Sequence, residues 1–137
     1  DGVDFCYHIH GATSKPQTLL VKEAGRILKW CRHSIKELEP WKNADPNLAF
    51  FDQNKVVFPL TIRSFRPGDR LYPLGMDGSQ KLKKYFINAK IPRKERRRIP
   101  LLISGKDIIW IAGHRMSRKA AISTETQNIL KIELLLA

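Results

Sequence analysis

At 137 residues the chain is long enough for one domain with its own core, or one domain plus an appended hairpin, and too short for two full domains. Its 42% hydrophobic and 28% charged composition is that of an ordinary folded protein, and no apolar run approaches the roughly 20 residues that a membrane helix needs. A formal net charge of +12 points to a polyanionic partner, with nucleic acid as the first candidate.

The chain opens at Asp1 with neither an initiator methionine nor a signal-type apolar segment, and so reads as a piece excised from a longer protein. Two cysteines, Cys6 and Cys31, are too few for a disulfide framework and are read as thiols of a reducing, cytoplasmic setting. Strands are predicted over 4–10, 18–23 and 26–33, the last two forming a hairpin at 18–33 that turns on Ala24-Gly25. Cys6, His8 and His10 alternate onto one strand face, as do Cys31 and His33, so pairing of those strands would gather zinc-type ligands. The other reading, buried thiols with surface histidines and no metal, is favoured by the lack of a close cysteine pair. The polar stretch 37–46, holding Pro40 and Pro46, reads as a linker, which divides the chain into a β-rich segment at 1–46 and a second block at 47–137.

In the second block a strand is predicted over 56–65, where Phe58, Leu60 and Ile62 alternate with Pro59, Thr61 and Arg63; Pro59 implies an edge or a bulge. Pro67-Gly68 fits a type II turn, because proline presets φ at the second position and glycine accepts positive φ at the third. After a loop at Gly75 and Gly78, Ser79 is expected to cap a helix reaching about Lys90, with Leu82, Phe86 and Ala89 facing the core. Pro92 ends that helix and opens a second, short one through Arg98, which Pro100 stops. Residues 108–112 read as a buried strand and 130–136, by alternation, as a closing one. There is no internal repeat. The class expected is α+β, with a mixed or antiparallel sheet, open or barrel-like, and a short basic helix pair inserted between strands.

The charge is concentrated. Lys81, Lys83, Lys84, Lys90, Arg93, Lys94, Arg96, Arg97 and Arg98 stand against one acid, Glu95, within 81–98, and +9 of the net charge falls in 63–98. A solvated lysine-rich surface is the plain reading of such a run. Interleaved apolar residues argue instead for a folded, docked segment, and the arginines of its second half carry planar forks that suit phosphate. Arg63, Arg66 and Arg70 flank the Pro67-Gly68 turn, where Asp69 is placed to pair with one of them. Arg115 and Arg118, after the buried strand, extend the candidate nucleic-acid-binding set. Tyr85 falls outside the Leu82/Phe86/Ala89 face and is free to stack on a base, whereas Phe86 and Trp110 belong to the core. Glu37, Glu39, Asp45 and Asp52 are scattered, and no nucleophile set or carboxylate pair suggests catalysis within the chain.

The run Phe58-Pro-Leu-Thr-Ile-Arg-Ser-Phe-Arg-Pro-Gly-Asp-Arg70, followed by Pro73-Leu-Gly-Met76, Gly78-Ser-Gln-Lys-Leu-Lys83 and Lys90-Ile-Pro-Arg93, resembles the carboxy-terminal domain of tRNA(Ile)-lysidine synthase. Arg98-Ile-Pro-Leu-Leu102, Ile109-Trp-Ile-Ala-Gly113 and Arg115 continue the resemblance, which runs from about Asp52 to Leu134. It implies a parent enzyme that is an ATP-dependent ligase, using ATP with magnesium to adenylate the wobble cytidine of an isoleucine tRNA and join lysine to it. In that family the chemistry belongs to an amino-terminal catalytic domain with a Ser-Gly-Gly-x-Asp-Ser loop. These residues contain no such loop, and Ser104-Gly105-Lys106 is too short to replace it. The expected role is therefore an inactive, tRNA-binding module that works with the catalytic domain and contacts the acceptor stem, with no cofactor of its own, no membrane, and a homodimeric parent as one option. The competing class is a basic interaction domain for an acidic protein partner.

Overall fold

The computed structural model describes residues 4–38 and 45–137. Among them the chain forms β1 (Cys6–Ile9), β2 (Gln17–Val21), β3 (Arg26–Ser34), β4 (Leu48–Asp52), β5 (Leu60–Arg63), β6 (Arg70–Leu71), β7 (Gln80–Lys81), α1 (Leu82–Asn88), α2 (Arg93–Arg96), β8 (Leu101–Ser104), β9 (Asp107–Ile111), β10 (Arg115–Met116) and β11 (Asn128–Leu136). The fold is α+β with antiparallel strand pairing. One sheet has the order β1-β5-β8-β9-β10, a second β2-β3-β11-β4, and β6 pairs with β7 as a ribbon. Neither large sheet closes on itself, so the barrel option gives way to two open sheets packed face to face.

The apolar pattern explains the layers. Leu28 and Trp30 of β3, Ala49 and Phe51 of β4, and Leu130, Ile132 and Leu134 of β11 alternate inward from the four-stranded sheet. They meet Ile9, Leu60, Ile62, Leu102, Ile109 and Trp110 of the five-stranded sheet, and Phe51 sets its ring edge-on to Trp110 at 6.3 Å between centroids. β8 and β9 are buried on their other face too, where Leu101, Ile103, Ile108 and Ile111 pack with Leu71, Leu82, Phe86 and Ile91. Two covered faces require unbroken apolar runs, which is why Leu101–Ile103 and Ile108–Ala112 carry no polar residue. A β-bulge between Leu102 and Ile103 sets Ile103 opposite Ile108, which turns the consecutive Ile109 and Trp110 both toward the inter-sheet core.

Strand pairing crosses the polar stretch 37–46: β1 pairs with β5, and β3 with β11. Residues 39–44 of that stretch lie outside the described part. The hairpin at 18–33 is present, but turns through a 3-10 turn at Lys22–Ala24 and Gly25 rather than on Ala24-Gly25 alone. The strand expected over 56–65 shortens to Leu60–Arg63, which follows a cis Phe58–Pro59 bond. β5 is an interior strand, so Pro59 marks its entry and not a sheet edge. β4 was not foreseen; its five residues, LAFFD, are too few for alternation to stand out.

β1 and β3 belong to different sheets, so the two Cys/His faces are not paired. Cys6 is exposed, Cys31 is buried with its Sγ 3.0 Å from His33 Nε2, and burial pushes the Cys31 thiol pKa up. No group of three or more candidate metal ligands is found among the described residues.

Gly113 turns the chain from β9 to β10 at φ +80°, and a Cβ there would meet Asn47 Oδ1 and Leu134 Cδ2 at 3.1 Å. Strain and crowding act in the same direction, so Gly113→Ala is expected to destabilise the domain by at least about 1 kcal/mol. Urea unfolding would measure this, and an unchanged midpoint would contradict the account.

Candidate nucleic-acid interface

The basic segment is held to the body by a few apolar side chains. Leu82 and Phe86, fully buried, seat α1 on the outer face of the five-stranded sheet. Phe65 meets Phe86 edge-on at 5.2 Å between ring centroids. Ala89 is exposed, contrary to the helical spacing, because α1 ends at Asn88 and the chain has already turned. The ending is a Schellman motif: Ile91 N–H donates to Phe86 O at 2.9 Å and Lys90 N–H to Ile87 O at 3.0 Å, with Lys90 at φ +57°. Ile91 then packs with Phe86, the apolar contact that accompanies this motif.

Ser79 does not cap α1. Its Oγ accepts from Arg70 Nε at 2.9 Å, and β7 intervenes before the helix. The first helical N–H, that of Leu82, donates to Asp69 O at 2.9 Å, which ties α1 to the Pro67-Gly68 turn. That turn has the expected form, with Gly68 at φ +93° and Asp69 N–H donating to Arg66 O at 3.1 Å. Asp69 clamps it. Its two carboxylate oxygens accept a two-pronged pair from Arg63 at 2.9 Å each, and one also accepts the Arg66 N–H at 2.8 Å. Both partners are nearly buried, and the planar match of fork to carboxylate is the strongest ion-pair geometry available to arginine.

After Pro92, α2 is a four-residue turn of helix with no buried side chain, pinned by Arg96. Arg96 Nε donates to Ile91 O at 2.9 Å, and its guanidinium lies 5.9 Å from the Phe86 ring centre. Between this helix and the Pro67-Gly68 turn opens a cleft of about 970 Å³, lined by Phe65, Pro67, Gly68, Asp69, Lys81, Lys83, Pro92, Arg93, Lys94, Arg96 and Arg97.

The candidate basic residues thus divide by what their side chains do. Arg63, Arg70 and Arg96 are engaged within this region, as described. Arg115 donates to Leu74 O, and Arg118 to Met76 O and Gly78 O while lying over the Tyr72 ring, so these two organise the 72–78 loop. Arg97 makes an exposed ion pair with Asp4 at 3.3 Å, a contact that solvent and salt weaken. The side chains of Arg66, Lys81, Lys83, Lys84, Lys90, Arg93, Lys94 and Arg98 are exposed and have no hydrogen-bond or ion-pair partner among the described residues. Tyr85 is half-buried against Phe86 and His114 instead of standing free, and burial raises its hydroxyl pKa against the opposing Arg115 charge. Trp110 is buried in the inter-sheet core, where the sequence placed it. Phe65, Pro67 and Pro92 were not read as site residues; in the sequence the prolines signal only chain reversal and helix punctuation, and nothing there shows that they face each other.

The family model for the TilS substrate C-terminal domain matches residues 60–134. The tRNA(Ile)-lysidine synthase of Caldanaerobacter subterraneus subsp. tengcongensis is 45% identical over 91 residues, which is 66% of this chain and 20% of that protein. That of Geobacter sulfurreducens is 39% identical over 95 residues, 69% of this chain and again 20% of the relative, so the chain spans about a fifth of the length of these curated relatives. A crystal structure of a TilS C-terminal domain superposes with a TM-score of 0.79 at 27% identity, covering 96% of this chain and 98% of the other. An amino-terminal fragment of the Pyrococcus horikoshii phenylalanyl-tRNA synthetase β-subunit covers 64% of the chain and 27% of its own at TM-score 0.54 and 18% identity, a likeness of fold alone. Since the family match takes in more than half of the chain, from β5 through the clamped turn and both helices to β11, the chain belongs to the TilS substrate C-terminal domain family.

Proposed function

We propose that the chain is the tRNA-binding module of a tRNA(Ile)-lysidine synthase, gripping isoleucine tRNA through phosphates of its acceptor stem so that the anticodon reaches a catalytic domain elsewhere in the protein. The observation that carries the reading is the set of exposed cations on and around α1 and α2 that have no partner among the described residues, held on a segment anchored by Leu82 and Phe86. Double-helical RNA hides its base edges in a deep, narrow groove and is gripped mainly through backbone phosphates and 2′-hydroxyls, which a surface of exposed cations suits. Binding energy collected remotely can orient the reacting base, which is how a non-catalytic module raises turnover.

The parent enzyme in this reading uses ATP with magnesium, and lysine as substrate, in the cytoplasm, either as a monomer or a homodimer. The described residues do not fit ATP. Ser104-Gly105-Lys106 lies at the β8–β9 hairpin turn, where Ser104 Oγ already accepts the Val57 N–H at 2.8 Å, so the adenylation and lysine transfer are assigned to the other domain. Among the described residues no helix is long and apolar enough to cross a membrane.

Four variants test the surface. Charge reversal at Lys83, Arg93 and Lys94 should weaken binding of an isoleucine tRNA transcript at least about tenfold and flatten the log-log salt dependence by about one unit per lost phosphate contact. Reversal of Lys15 and Lys36 should have much less effect; filter binding that finds the two sets equal, or binding abolished by polyglutamate alone, would favour the acidic-protein reading. Asp69→Asn removes a negative charge, raising the net charge by one, yet breaks the two-pronged clamp, so it should cost about 2 kcal/mol of stability and weaken tRNA binding. Tighter binding would mean that net charge, not the shaped turn, governs affinity. Lys90→Gly relieves the positive φ and should raise stability by up to about 1 kcal/mol, read as a higher Tm, while tRNA affinity falls by no more than one phosphate contact.

A further inference from the structure

We propose that the cleft between the Pro67-Gly68 turn and α2 takes an unstacked nucleobase from a single-stranded stretch of RNA, with the flanking phosphates held by the cations at its mouth. The inference rests on the reading of the basic surface as an RNA contact and adds what enters the cleft.

Two chemistries meet there. Phe65, Pro67 and Pro92 present apolar carbon, while Lys81, Lys83, Arg93 and Lys94 carry charges with no partner among the described residues. The volume of about 970 Å³ falls within the roughly 300–1,000 Å³ usual for sites that enclose small ligands. Phosphates alone need no such walls. A duplex keeps its bases stacked inside and would ride over the rim, leaving the apolar surface wet and contributing nothing. A base turned out of its stack is a flat, largely apolar ring system joined directly to phosphate, which matches both parts of the cleft. Sites for single strands are built this way, from a positive groove with planar side chains for the bases.

The electrostatics agree. Asp69 is the one acid among the residues lining the cleft, and its oxygens are already occupied by Arg63 and the Arg66 N–H. Its charge is compensated where a phosphate would approach. Arg96 cannot close over the opening, because its guanidinium is committed to Ile91 O. Each wall is also fixed to the body, the turn by the Asp69 clamp and α2 by the Ile91–Phe86 packing, and the edge-on contact of Phe65 with Phe86 joins the two at the base of the cleft.

The test is fluorescence anisotropy on the whole chain with three probes: a short single-stranded oligoadenylate, a strand of equal length and charge with abasic riboses, and a blunt-ended RNA duplex. The oligoadenylate should bind about tenfold tighter than the abasic strand. The double variant Pro67→Ala/Pro92→Ala, which keeps every charge, should lose most of that ratio and leave duplex affinity unchanged. Phe65→Leu should lower the ratio as well, and serves if the proline variant does not fold. Equal affinity of the unaltered chain for the adenylate and abasic strands, with duplex binding intact, overturns the nucleobase site and leaves the basic-surface reading standing. Failure to bind any of the three overturns both.

Discussion

The β8–β9 hairpin is buried on both faces, and what covers each face places the remaining elements. On one side Leu102, Ile109 and Trp110 meet the four-stranded sheet; on the other Leu101, Ile103, Ile108 and Ile111 receive Leu82, Phe86 and Ile91. The second contact is small, a short helix with two fully buried side chains, yet it positions the whole basic segment. Without it, the cations of 81–98 would belong to a flexible loop between β7 and β8 that loses conformational entropy whenever it binds. With it they are presented at fixed spacing.

Like charges gathered on one surface repel, and a folded domain tolerates them only where solvent screens the field. The cations that have no partner among the described residues are exposed, whereas the mostly buried Arg63 is neutralised by Asp69 in a two-pronged pair. That pair sits under the Pro67-Gly68 turn, and Asp69 O also receives the first N–H of α1. The turn, the start of the helix and one wall of the cleft are therefore coupled through a single residue. The arginines at 70, 96, 115 and 118 serve in a similar way, each donating to a backbone carbonyl or a hydroxyl. Positive charge in this domain thus has two uses, shaping loops and facing solvent, and residue type does not separate them.

Much of the fold was legible because short-range chemistry dictated it. The type II turn at Pro67-Gly68, the break at Pro92, the buried run at Ile108–Ala112 and the alternation of Leu130, Ile132 and Leu134 each follow from constraints within a few residues. Ala89 and Ser79 misled for a common reason. Helical spacing and capping chemistry presume a helix whose ends are known, and the Schellman turn at Lys90 and the β6–β7 ribbon moved both ends inward. Leu136 continues the alternation of β11 but is exposed, because β4 stops pairing at Glu133 and only the first residue of β3, Arg26, still lies opposite Leu136.

The amino-acid sequence by itself determined the α+β class, the density and place of the positive charge, the proline and glycine punctuation around it, and the family motifs. Those are properties of residue type, order and spacing along the chain. Only the tertiary structure decided that β1 and β3 enter different sheets, which separates the Cys/His faces, that Asp69 chooses Arg63, and that Pro67 and Pro92 stand across a cleft. Each of these depends on which distant segments meet, and that is settled by the joint packing of two sheets and a helix around one hairpin, a balance of many weak contacts that no local pattern encodes.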